Sequence, residues 1–211
     1  MSATLIAVLF ALALGHLAPG LAMSVRRYDW FGVWLRWLDA RFGDGIGFWR
    51  GRYGIALALL PPLLVIGLFQ FALRSPLAGV VGLLFAVAVL FYVWGPRDLD
   101  ADVSAVIDAE NAEARRDAAA RLGADPHSGL GEAAAMVEGA FASALRRWFG
   151  VLFWFLLLGA VGAVLYRIAA LAAEGEFADS LPESTREGAR SFFALLNWPV
   201  AQAMTLSLAL V

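Results

Sequence analysis

Residues 95–148 read GPRDLDADVSAVIDAENAEARRDAAARLGADPHSGLGEAAAMVEGAFASALRRW, and a long hydrophobic segment lies directly on each side of them. Ten of the eighteen acidic residues and six of the sixteen basic residues of the chain fall in this stretch. In a chain embedded in lipid, this is the segment with enough polar surface for chemistry in water. We therefore take residues 95–147, named the polar insert from here on, as the first place to look for function.

The composition outside the insert is that of an integral membrane protein. Hydrophobic residues make up 61% of the chain and charged residues 16%, whereas about a quarter of the residues of a soluble domain are charged. The net charge of -2 gives no basic face, so a nucleic-acid partner is not expected. Cysteine is absent, which excludes disulfides and thiolate metal sites.

Five hydrophobic segments approach the roughly 20 residues that a helix needs to cross a bilayer; they are residues 2–23, 54–73, 76–94, 148–172 and 192–211. The first has a second interpretation as a secretory signal peptide, because Gly20-Leu21-Ala22 resembles a cleavage site. The first basic residue is Arg26, which favours a retained helix over a signal peptide. Pro61-Pro62 removes two backbone donors and is expected to kink or break the second segment.

Residues 24–53 combine six arginines with Trp30, Trp34, Trp37 and Trp49. Trp30, Phe31, Trp34, Leu35 and Leu38 recur at the spacing of one helix face. This pattern predicts an amphipathic helix at the membrane interface, with the tryptophans at headgroup depth.

Within the polar insert we predict a helix over residues 102–122 and a second helix that starts between Ser128 and Gly131. The second helix should continue into the fourth hydrophobic segment as one long helix, because no proline interrupts it before Glu174. Residues 174–190 are then a short acidic segment. The predicted fold is an all-α polytopic bundle of four or five transmembrane helices, with residues 1–211 as a single membrane domain.

The distribution of arginine predicts the orientation of this bundle. Residues 24–53 and the polar insert carry six arginines each, whereas the turn at residues 74–75 has one and residues 174–190 have two. Because cytoplasmic loops are enriched in positive charge, the insert is predicted to lie in the cytoplasm of a bacterial inner-membrane protein.

Familiar catalytic motifs are absent from the sequence: there is no phosphate-binding loop, no HExxH pair and no GxSxG turn. The candidate ligand-binding residues are instead Arg97, Asp98, Asp102, Glu138 and Arg167. Arginine can hold a phosphate or carboxylate, and the acids can hold Mg²⁺ through oxygen; no dedicated metal site is predicted.

Each candidate also has a structural interpretation. Arg97, Asp98 and Asp102 also fit a solvated charge cluster at the membrane edge. Glu138 either faces the bundle, where a buried acid suggests function, or points into water. Arg167 either pairs with an acid across the bundle or extends to the far interface, which is the default for an arginine near a helix end.

Several short motifs resemble the AmpE/CobD (CbiB) membrane superfamily over most of the chain. They are Gly95-Pro96-Arg97-Asp98, Glu138, Phe153-Trp154, Leu165-Tyr166-Arg167 and Leu196-Asn197-Trp198-Pro199-Val200. Where the synthase branch of that superfamily has a threonine after Arg-Asp, this chain has Leu99. The acidic segment from Glu132 to Glu138 lacks an asparagine that the corresponding motif of that branch has. Ile168 to Ala173 stand where that branch has an Asn-Thr-Leu-Asp run. Because each difference removes a polar group, the resemblance favours the AmpE-like branch.

The resemblance implies a regulatory or signalling role connected with β-lactamase induction and peptidoglycan recycling, more in keeping with a binding protein than with an enzyme. The ligand would be a small anion, a nucleotide or a muropeptide, and a protein partner or a second copy of the chain stays open. One alternative is an ATP-dependent ligase like adenosylcobinamide-phosphate synthase, with ATP and Mg²⁺ as cofactors. A second is a small transporter that uses His16 and Pro61-Pro62 to line an aqueous path.

Overall fold

A computed structural model describes residues 2–17, 25, 27–43, 47–73, 79–94, 99–122, 132–174 and 177–209. The regular elements of these residues are all helices, which confirms the all-α prediction. Their contacts divide the chain into two compact units, one made of Met1–Trp94 with Gly150–Val211 and the other of Gly95–Phe149. We call them the bundle unit and the insert unit.

In its described residues, the bundle unit contains seven α-helices and a short 3-10 turn at Ala178–Ser180. The helices are α1 (Ser2–Leu17), α2 (Asp29–Phe42), α3 (Ile55–Ala72), α4 (Gly79–Val93), α8 (Gly150–Leu158), α9 (Ala160–Glu174) and α10 (Glu183–Ala209). The insert unit contains α5 (Leu99–Ile107), α6 (Ala112–Arg121), α7 (Glu132–Ala144) and a π-helical turn at Leu145–Phe149.

Helix α9 forms the centre of the bundle unit. Ten of its fifteen residues are buried, from Ala160 to Ala173, and it packs against α3, α4, α8 and α10. Small side chains such as Ala163 and Ala169 allow this close approach of several helices. The hydrophobic core of the bundle unit therefore surrounds α9.

The prediction of one long helix up to Ala172 is wrong, because the helix is interrupted at Gly159. Gly159 has φ 72°, in the left-handed region that glycine adopts without a steric cost. The Gln70 side chain spans the break: its Nε2 donates to the Leu158 carbonyl at 3.0 Å, and its Oε1 accepts from the Val161 N–H at 3.1 Å. A side chain from another helix thus replaces backbone hydrogen bonds that the break removes.

Pro61 and Pro62 were expected to kink or break the helix, but α3 continues through both prolines without a break. Proline at position 62 cannot donate to the carbonyl of residue 58, one helical turn earlier. The indole Nε1 of Trp34 donates to that Ala58 carbonyl instead, at 3.1 Å. Helix α2 therefore supplies a hydrogen bond that α3 lacks.

Two further boundaries differ from the prediction. Residues 102–122 form two helices instead of one, because Asn111 caps α6 by accepting a hydrogen bond from the Ala114 N–H at 2.8 Å. Helix α10 begins at Glu183, so the second half of the predicted acidic segment is helical.

Helix α2 is amphipathic as predicted, but its apolar face contacts protein. Phe31, Leu35 and Leu38 are buried in the core of the bundle unit. Trp49, expected at headgroup depth, is fully buried: its Nε1 donates to Asp39 Oδ1 at 2.9 Å, and the Thr185 hydroxyl donates to its backbone carbonyl. The arginines of this segment that the structure describes are exposed, Arg36 and Arg41 among them.

Candidate functional site

The insert unit contains a buried ion pair between Asp102 and Arg147. The Arg147 Nη1 lies 2.6 Å from Asp102 Oδ2, and the two side chains are 17% and 4% exposed. Ionic contacts are stronger away from water because the effective dielectric constant is lower. Asp102 is therefore not a solvated charge at a membrane edge, and the solvated-cluster interpretation is wrong for this residue.

The local backbone explains how Arg147 reaches this position. It lies in the π-helical turn Leu145–Phe149, and such turns shift the helix register and are frequent at functional sites. Just before the turn, the buried Ser143 hydroxyl donates to the Leu122 carbonyl at 2.8 Å, which ties α7 to the end of α6. The π-helical turn that carries Arg147 is thus fixed by the hydrogen bond of Ser143 directly before it.

Glu138 does not join the pair. Its side chain is exposed on α7, so it is not a buried acid; that it points into water stays a prediction. Its neighbour along the chain, Val137, is also exposed. Arg97 and Asp98 lie outside the described residues, so their part in a site stays a prediction.

Arg147 is the site residue that the sequence analysis missed. Arg146 and Arg147 were counted only as charges that set orientation, because they precede Trp148 at the start of a hydrophobic segment. Two adjacent arginines at the end of an alanine-rich amphipathic helix were the available signal. What hydropathy alone does not show is the π-helical turn that brings one of them to Asp102.

Arg167, the last predicted site residue, belongs to the bundle unit and is only 5% exposed. Its Nε donates to the Val93 carbonyl at 2.7 Å. Val93 is the last residue of α4, where helix carbonyls lack intrahelical partners and carry partial negative charge. The expectation that Arg167 extends to the far interface is therefore wrong, because it stabilises the end of a neighbouring helix.

Several residues of the resemblance motifs meet next to Arg167. The Tyr166 hydroxyl donates to Asn197 Oδ1, and the Trp154 indole donates to the Leu196 carbonyl at 3.2 Å. Gly150 packs so closely on the Tyr166 ring that a β-carbon would overlap it. The motifs that lie far apart in sequence thus form one packed polar cluster between α8, α9 and α10.

A cavity of about 250 Å³ opens beside the break at Gly159. Its described lining residues are apolar except for Gln70 and Thr4. The transporter hypothesis expected a cavity along Pro61, Pro62 and His16; Pro61 and Pro62 do not line this one, and the side chain of His16 lies outside the described part of the chain. Within the described ranges, no group of three or more His, Cys, Asp or Glu is placed to hold a metal ion.

These observations define the class as an all-α protein with membrane-compatible helices. In the described part of the chain, Ile55–Ala72 and Ala134–Leu158 are long and apolar enough to cross a membrane, which weakly supports a membrane protein. α1 and α4 contain shorter apolar runs. Comparisons with known protein families, curated proteins and solved structures give no match to this chain.

Proposed function

We propose that this chain is a multi-pass protein of the bacterial inner membrane, with its insert unit in the cytoplasm. The support is apolar surface that the protein itself does not cover: only 17% of the segment Ile55–Ala72 is buried. Leu64, Leu68 and Phe71 on α3 are 63%, 68% and 73% exposed. The core helix of a soluble protein buries such residues, and a hydrocarbon environment explains their exposure.

We further propose that the protein is a binding component of AmpE-like type, which senses a small anionic ligand and passes that signal on without turnover. One observation carries this part: the Asp102–Arg147 pair places a guanidinium on a largely water-shielded carboxylate. A phosphate or carboxylate has the same geometry toward arginine and gives equally charge-assisted hydrogen bonds. A ligand anion can therefore take the place of Asp102 on Arg147.

Exchange of one anion for another keeps the arginine paired throughout. This matters because removing one partner of a buried ion pair costs about 3–5 kcal/mol. The displaced Asp102 would no longer hold α5 to the π-helical turn, so occupancy of the site would loosen α5. This gives a means of signalling that needs no chemical step.

The test is a thermal-shift measurement on detergent-solubilised protein with ATP and Mg²⁺, an anhydromuropeptide or a corrinoid precursor. A ligand that binds only the folded state stabilises it by about 2.7 kcal/mol at a hundredfold excess over Kd. We expect the nucleotide or the muropeptide to raise the melting temperature, and Arg147→Ala and Arg97→Ala to remove the rise. Arg147→Lys keeps the charge but loses the planar fork, so its rise should be reduced.

The matched control is Arg116→Ala, because Arg116 is exposed on α6 of the same unit. This variant should shift like the wild type. A rise that persists in Arg147→Ala contradicts the site, and no rise with any ligand contradicts anion binding. A rise with the corrinoid precursor accompanied by ATP consumption would favour the ligase alternative.

A further inference from the structure

The amide of Gln70 has hydrogen-bonding capacity beyond the helix break that it spans. A primary amide offers two donor hydrogens and two acceptor lone pairs. Leu158 accepts one hydrogen bond from it and Val161 donates one to it. No other described residue uses the second N–H, and Gln70 also lines the cavity beside the break.

Apolar side chains form most of the cavity wall, as in binding sites for hydrocarbon chains. Leu73, Leu83, Phe85 and Phe155 line it, and Gly79 and Gly82 leave room because they lack side chains. A β-carbon at Gly79 would meet no atom within 4 Å. Binding sites for apolar molecules combine such walls with one or two polar groups that fix orientation, and Gln70 is a group of that kind.

The surroundings of the cavity indicate what would enter it. Next to the lining residues, Leu68 and Phe71 on α3 and Val80 and Leu84 on α4 are more than half exposed. Gln70 is two residues from the end of α3, an 18-residue helix that spans roughly 27 Å at 1.5 Å per residue. If α3 crosses the bilayer, Gln70 lies near the edge of a hydrocarbon core about 30 Å thick. The ester carbonyls of glycerolipids lie at this depth.

We propose that the cavity binds one acyl chain of a membrane glycerolipid, whose ester carbonyl accepts a hydrogen bond from the second N–H of Gln70. This inference rests on the membrane placement proposed above and is separate from the anion site of the insert unit. A lipid in this position contacts Gly159 and Ala160 as well as Gln70. It therefore stabilises the break between α8 and α9.

The experiment is native mass spectrometry of the detergent-solubilised protein titrated with dioleoyl phosphatidylethanolamine. Ala86 lines the cavity, whereas Ala88, on the same helix, is exposed and does not. Ala86→Phe should fill the cavity and weaken lipid binding by about tenfold, equivalent to about 1.4 kcal/mol. Ala88→Phe adds the same ring outside the cavity and should bind like the wild type. Equal affinity of the two variants overturns the proposal.

The role of Gln70 is tested with the ether-linked analogue of the same lipid, which lacks the ester carbonyl. The wild type should bind the ester lipid more tightly than the ether lipid, and Gln70→Leu should bind both alike. This comparison is made within each variant, so a general loss of stability does not imitate it. An ester preference that survives in Gln70→Leu, or its absence from the wild type, contradicts the hydrogen bond.

A carbonate wash of cell membranes separates failure of this inference from failure of the membrane placement. Loss of the protein in the wash contradicts the placement itself and the lipid site with it. Retention of the protein together with equal lipid binding by Ala86→Phe and Ala88→Phe contradicts the lipid site alone.

Discussion

The Asp102–Arg147 pair should stabilise the insert unit as a pair, more than either residue does alone. Removing one partner leaves a largely buried charge without it, so Asp102→Ala and Arg147→Ala should each lower the free energy of unfolding by about 3 kcal/mol. The double variant should cost less than the sum, because neither charge of the pair remains. Circular dichroism during thermal unfolding in detergent measures all three variants.

The matched control for that cycle is Asp117→Ala, since Asp117 is exposed on α6 of the same unit. Removal of an exposed acid should change stability by less than about 0.5 kcal/mol. Strictly additive losses for Asp102→Ala and Arg147→Ala would show that the two residues do not depend on one another. The ion pair would then not be the element that a ligand anion replaces.

At the residue scale, the sequence identified the unusual side chains more reliably than it predicted their positions. Asp102 and Arg167 were recognised as unusual charges, and both are buried. Their partners, Arg147 and the Val93 carbonyl, were not predictable, because they depend on a π-helical turn and on a helix end. Trp49 shows the same limit: its partner Asp39 is ten residues away in sequence, and hydropathy does not predict that the two side chains meet.

At the scale of elements, α2 should support α3 through one hydrogen bond. Trp34→Phe removes the donor to the Ala58 carbonyl, and Ala58 is fully buried. A buried carbonyl without a partner costs about 1–3 kcal/mol, so this variant should unfold at lower temperature. In a Pro62→Ala background the alanine N–H can donate to the same carbonyl. The cost of Trp34→Phe should therefore become smaller there.

This cycle is read from thermal unfolding of the four proteins in one detergent. Trp198→Phe is the control, because Trp198 is exposed on α10, whereas the exposed Trp37 stacks on the Trp34 ring. Its effect should be the same with proline or alanine at position 62. If Trp34→Phe also costs the same in both backgrounds, the indole does not compensate for the proline.

Hydropathy predicted the positions of most helices but not their breaks. The apolar run at residues 148–172 has no proline or charge before Arg167, so nothing in its composition marks Gly159 as a break. The indication was on another element: Gln70 is the one strongly polar side chain in the predicted segment 54–73. A polar group in an apolar helix needs a partner, and here the partner is the backbone at the break.

At the scale of the whole molecule, the composition predicted an all-α chain, and the helices of the described residues confirm that class. The number of membrane crossings does not follow from composition, because α8 and α9 are each too short to cross alone. With nine and fifteen residues, they are roughly 14 and 22 Å long at 1.5 Å per residue. They do not lie along one path: Gly150 packs on the Tyr166 ring, so α9 turns back beside α8 at Gly159, and neither helix crosses a bilayer of about 30 Å by itself.

The position of α10 follows from this turn: the Thr185 hydroxyl donates to the Trp49 carbonyl, so the start of α10 lies on the same side of the bundle unit as residues 49–52. Because the chain has no cysteine, one introduced thiol reports its own side of the membrane. Ser104 on α5 and Ser184 on α10 are both exposed, so Ser104→Cys and Ser184→Cys are mild changes. Residues 24–53 carry as many arginines as the insert and are expected on the same, cytoplasmic side, so a membrane-impermeant maleimide should label neither variant in intact spheroplasts and both after permeabilisation. Labelling of Ser184→Cys alone before permeabilisation would contradict the turn back at Gly159, and labelling of Ser104→Cys would place the arginine-rich insert outside.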